Sequence, residues 1–115
     1  MQTRTEVPPS VTPYVEALGP EGAETFLLGF GGSQIYIPSN PRPASPLVKE
    51  IGLEPTQAMR RVFGQGQLKV PLAKPWLARR LDAAGVARPE IAKRLHVTRE
   101  SVRSYLAIPK GRTRA

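Results

Sequence analysis

Residues 88–106 read RPEIAKRLHVTRESVRSYL, and the spacing in this stretch decides how the carboxy-terminal part of the chain folds. Ile91 and Leu95 share one helix face, with the small Ala92 where a second helix has to cross closely. Val97 is the inward residue of a short turn, and Thr98 is placed to cap the next helix. Val102, Tyr105 and Leu106 supply that helix with an apolar face. Two short helices joined in this way form a helix-turn-helix, which sets the second helix for insertion into a DNA major groove.

The outward residues follow from the same spacing. Arg99 and Arg103 lie one turn apart on the second helix, and arginine suits the O6 and N7 acceptors of guanine. Thr98 and Ser104 complete the expected base-contacting set. Arg88, Lys93 and Arg94 fall on the first helix, which crosses the sugar–phosphate backbone, and Ser101 is a further phosphate candidate. Glu100 is placed either to accept from a cytosine amino group or, as the default, to pair with a neighbouring arginine. The turn position that commonly holds glycine is His96, a residue that tolerates positive φ better than most. Upstream, Pro75 opens a third helix ending at Gly85, with Trp76, Leu77, Leu81 and Ala84 inward and Arg79, Arg80 and Asp82 outward. Trp76 reads as a core anchor.

Working toward the amino terminus, an offset of 33 residues aligns Thr12–Pro38 with Ser45–Pro71 without a gap. Eight of the 27 pairs are identical, among them Gly19/Gly52, Phe30/Phe63, Gly31/Gly64, Gln34/Gln67 and Pro38/Pro71. Ordinary composition predicts roughly two. Each copy reads helix–helix–strand. Thr12 or Ser45 caps a short helix that opens on proline, and Gly19 or Gly52 ends it. The second helix of each copy turns Ala23, Phe26, Leu27 and Phe30, or Ala58, Met59, Val62 and Phe63, inward. The strands place Ile35, Ile37, Leu68 and Val70 against the helices and Gln34, Tyr36, Gln67 and Lys69 outward. Strands this short need a partner edge, found either within the chain or across a dimer axis. The outward row is either plain solvent-exposed surface or a contact with the DNA backbone or minor groove.

The expected fold is therefore mainly α with two short β-strands. Residues 1–11 form a disordered arm, and residues 12–71 a duplicated dimerisation region with copies at 12–38 and 45–71 joined by the proline-rich SNPRPA. Residues 72–107 form a three-helix DNA-binding unit and 108–115 a basic tail carrying Lys110, Arg112 and Arg114. Charge is segregated along these divisions. Residues 1–40 hold one basic residue and four acids, a net of −3, while residues 41–115 hold sixteen and five, a net of +11. Such a distribution is the footprint of a polyanion binder.

Composition narrows the classes further. The absence of cysteine excludes disulfide frameworks and thiolate metal sites and fits a reducing cytoplasm. No apolar run reaches spanning length, and MQTRTEVPPS lacks the apolar core of a signal peptide. No membrane partner, metal or cofactor is expected. An enzyme such as a recombinase or nuclease would need clustered carboxylates or a nucleophile beside a base, and the sequence groups neither. No catalytic residue is assigned.

The strand motif with Gly31, Gly32, Gln34, Tyr36 and Pro38, taken with the helix-turn-helix, resembles the Mor transcription activator family of phages and prophages. The resemblance runs from Leu18 to Leu106. It implies a helical dimerisation region, a strand leading to the DNA-binding unit, strand residues in contact with DNA, and activation through RNA polymerase. The copy next to the DNA-binding unit departs from the pattern, reading Gly64-Gln65-Gly66-Gln67-Leu68-Lys69. The expectation is a homodimeric regulator of promoters acting in the cytoplasm on the nucleoid, an activator ahead of a repressor. An architectural or recombinase accessory protein is the alternative.

Overall fold

A computed structural model describes residues 7–107. Along them run α1 (Thr12–Phe30), β1 (Gln34–Ile37), α2 (Pro46–Ile51), α3 (Leu53–Phe63), β2 (Gly66–Lys69), α4 (Lys74–Ala83), α5 (Arg88–Leu95) and α6 (Arg99–Leu106). The architecture is mainly helical with one two-stranded antiparallel sheet. It divides into two compact units, residues 7–73 and residues 74–107. No helix among the described residues is long and apolar enough to cross a membrane.

In the first unit the chain is ordered earlier than expected. Residues 7–11 belong to the arm expected from the sequence, yet Val11 is fully buried and its N–H donates to Pro8 O at 2.9 Å. Val11, not Thr12, occupies the N-cap of α1. The Thr12 hydroxyl points back and donates to Pro8 O at 3.1 Å, so it ties the helix to the preceding turn instead of capping it. Ser45 does stand at the N-cap of α2, but its oxygen accepts from the Arg42 N–H and leaves the helix amides alone. Residues 1–6 of the expected arm and the expected basic tail, 108–115, lie outside the described residues.

α1 is interrupted at Gly19, with φ 80 and ψ 164, and restarts at Pro20. Gly52, 33 residues on, separates α2 from α3 with φ 100 and ψ 162. These backbone angles are open to glycine and strained for any residue with a Cβ. Burial matches at the same offset: Tyr14 and Leu47, Ala23 and Thr56, Phe26 and Met59, and Ile37 and Val70 are all buried. The aromatic rings of Tyr14, Phe26, Phe30 and Phe63 form a chain of contacts with centroids 4.8–5.8 Å apart.

The inward face of α3 differs from the expected one. Thr56 and Met59 are buried while Ala58 and Phe63 are half-buried and Val62 is exposed. Adjacent apolar residues on a helix are separated by about 100°, and α3 turns the 56/59/63 stripe to α1, α2 and β1. Thr56 is tolerated there because its hydroxyl donates to Gly52 O at 2.8 Å.

β1 finds its partner inside the chain. It pairs with β2 in antiparallel register, Gln34 opposite Lys69, Ile35 opposite Leu68, Tyr36 opposite Gln67 and Ile37 opposite Gly66. Bonds from Gly32 N to Val70 O and from Val70 N to Ser33 O, each 2.8 Å, extend the ribbon. Ile35, Ile37 and Val70 are buried and Leu68 half-buried, as the alternation predicts. Gly31 is needed at the ribbon's mouth, since a Cβ there would lie 2.7 Å from Leu27 O and 3.2 Å from Pro71 O.

In the second unit α4, α5 and α6 pack on one another. The core consists of Trp76, Leu77, Ala78 and Leu81 from α4, Ile91, Ala92 and Leu95 from α5, and Val102 from α6. Ala84, expected inward, is exposed just beyond the end of α4, and Ala78 fills the stripe in its place.

Candidate nucleic-acid interface

Residues 96–98 join α5 to α6, and each of the three has a local physical reason. His96 closes α5 in the left-handed region, φ 58 and ψ 47, with its N–H bonded to Lys93 O. Val97 is half-buried and donates to Ala92 O at 3.0 Å. Thr98 is the N-cap of α6: its Oγ1 accepts from Ser101 N at 3.0 Å. A cap of this kind is worth about 1 kcal/mol and satisfies one of the open amides of the first turn.

With Val102 buried and Tyr105 and Leu106 half-buried, α6 leaves Arg99, Glu100, Arg103 and Ser104 exposed. The two guanidinium groups of Arg99 and Arg103 share one face, one helical turn apart. Thr98, also assigned to base contact, is engaged: its oxygen caps the helix and its hydroxyl donates to Ser101 Oγ at 3.1 Å. Ser101 is thereby drawn into the cap as well. Glu100 makes no ion pair among the described residues, contrary to the expectation of an arginine partner.

On α5 the phosphate candidates Arg88, Lys93 and Arg94 are all exposed. Arg94 Nε bonds to Glu90 Oε2 at 3.1 Å, with both side chains nearly half exposed. Such a pair contributes about 0.3–0.5 kcal/mol, little enough for a phosphate to displace the carboxylate. On α4, Arg80 is expected only to face outward, and its guanidinium lies 5.5 Å from the Trp76 ring centroid. The i, i+4 spacing of Trp76 and Arg80 was the signal for that contact. Residues 74–107 hold eight Lys and Arg against three acids.

The ribbon of the first unit brings together the four remaining candidates. Gln34, Tyr36, Gln67 and Lys69 all face outward and all are exposed, Tyr36 by 57%. Gln34 and Lys69 are directly opposite, as are Tyr36 and Gln67. Amide, phenol and ammonium groups on a two-stranded ribbon match the donors and acceptors of a nucleic-acid groove, and a ribbon of this width fits the major groove. Among the described residues no group of three or more His, Asp or Glu is placed to hold a metal ion. Comparison with known proteins gave no match among family models, curated proteins or solved structures.

Proposed function

We propose that the protein is a sequence-specific regulator that binds double-stranded DNA through α6. Arg99 and Arg103 carry this reading: both are exposed on one face of a capped helix whose other face is packed into the α4–α6 core. α5, the turn and α6 then act as a helix-turn-helix, with Arg88, Lys93 and Arg94 on phosphates and Ser104 beside the two arginines on base edges. Thr98 and Ser101 serve by holding the first turn of α6, whose amides are themselves phosphate donors. The ribbon face of Gln34, Tyr36, Gln67 and Lys69 is a second contact.

The surplus of positive charge over residues 41–115 supports a polyanionic partner. The resemblance of the GGSQIYIP strand and the helix-turn-helix to the Mor transcription activator family favours activation over repression, with RNA polymerase as the further partner that activation requires. The need of a short strand for a partner edge, a ground for expecting a homodimer, is met inside the chain.

Selection of bound sequences from random duplex DNA tests the proposal directly. Arg99→Ala and Arg103→Ala relax the base preference at individual positions, each by about 1–3 kcal/mol. Lys93→Ala and Arg94→Ala weaken all duplexes alike. Equal losses on selected and random duplexes for the arginine pair of α6 would remove α6 as the reading element.

A further inference from the structure

We infer that residues 12–71 are a dimer built within one chain, and that the protein engages DNA as a single chain on a site lacking twofold symmetry. The target half of this inference rests on the DNA-binding reading above; the single-chain half rests on the pairing of the two copies within the chain and on their matched burial and backbone angles.

The strands that pair belong to equivalent places in the two copies, and Ile35 stands opposite its own counterpart, Leu68. Any antiparallel pair has a local twofold axis, and here that axis passes between equivalent residues. Three interior pairs follow the exchange of the two copies although their identities differ, whereas Leu27 is buried and its counterpart Arg60 only half-buried. Tyr14 and Leu47, Ala23 and Thr56, and Phe26 and Met59 differ in chemistry and agree in burial. Gly19 and Gly52 agree in backbone angles.

The strand edge that a second chain could supply is occupied from within the chain. Each strand already has its counterpart, and the strands are four residues long and followed by Pro38 and Pro71, features that blunt an edge against further pairing. A symmetric dimer would carry one DNA-binding unit per copy, whereas here two copies precede a single α4–α6 unit. A palindrome offers two half-sites to two recognition helices, and the described residues of one chain hold one.

The ribbon face is asymmetric as well. The exchange-related positions 36 and 69 hold a phenol and an ammonium, so the two halves of the face present different groups to a groove. One helix and one ribbon give a single chain two reading elements, as a helix and an arm do in other single-module binders.

Three measurements on the full chain test this. Solution mass is expected to stay at that of one chain, 12.6 kDa, across the micromolar range. The chain has no cysteine of its own, so Gln34→Cys with Lys69→Cys places the only two thiols directly opposite. Oxidation is expected to link them within one chain, and a two-chain band on non-reducing electrophoresis overturns the single-chain arrangement. Selected DNA is expected to show a consensus without twofold symmetry, bound one chain to one duplex. A palindromic consensus bound by two chains overturns the inference while leaving the DNA-binding reading standing. No enriched sequence overturns that reading and the asymmetric target with it, while mass and cross-linking still decide the single-chain arrangement.

Discussion

His96 holds the corner between α5 and α6 with φ 58 and ψ 47 and an exposed side chain. A Cβ in that region costs about 1–2 kcal/mol, and glycine in the unfolded chain gives back about 0.5–1 kcal/mol. His96→Gly is therefore expected to raise stability by up to about 1 kcal/mol, seen as a higher urea midpoint at constant m-value. A lower midpoint would mean that the ring itself contributes. Thr98→Ala acts in the opposite direction and removes the cap, a loss of about 1 kcal/mol. Tyr14 adds a dependence on pH. Burial pushes its hydroxyl above the ordinary value of about 10. A folded-state pKa above the unfolded one leaves its contribution intact below the unfolded value and removes it as pH rises through the folded value. Alkaline unfolding should accordingly be shifted to higher pH by Tyr14→Phe; an unchanged alkaline limb would show that another group governs it.

Helix breaks and the strand pair carry the next level. Gly52→Ala forces a Cβ into φ 100 between α2 and α3 and is expected to cost about 1–2 kcal/mol, with Gly19→Ala close to it because the backbone there is nearly the same. Thermal unfolding of the two variants measures this, and a cost at Gly52 alone would break the equivalence of the two positions. Much at this scale is legible in the sequence. The period-two alternation of Gln34–Ile37 is reproduced in its burial, and the glycine and proline punctuation falls where the helices stop and start. Other features were out of reach for identifiable reasons. Val62 sits beside an apolar stripe without belonging to it, because the orientation of α3 is set by what it packs against. Thr56 is buried through a hydrogen bond to its own helix start, which hydropathy does not register. The partner of β1 was undecidable from a four-residue strand, since within-chain and between-chain pairing satisfy the same edge. On the candidate interface, the outward set of α6 followed from spacing, but the diversion of Thr98 and Ser101 into the cap depended on hydroxyl geometry.

Across the whole molecule the charge balance sets how binding responds to solution conditions. With +8 overall and the excess confined to residues 41–115, affinity for any duplex should fall linearly with salt on logarithmic axes, by about 0.9 per phosphate contacted. Lys93→Ala should reduce that slope by about 1; a salt-independent affinity would show that phosphates are not the partners. The strand pair between Gln34–Ile37 and Gly66–Lys69 has a consequence of a different kind. In an assembly of two identical chains, every substitution near the axis is made twice, and its cost is counted twice. Here Ile35 and Leu68 face each other as separate codons, so either can mutate alone at half the penalty. On the single-chain reading each half of the region is free to drift toward its own task while the other holds the fold, which accounts for the aromatic Phe26 against the flexible Met59 and for Tyr36 against Lys69.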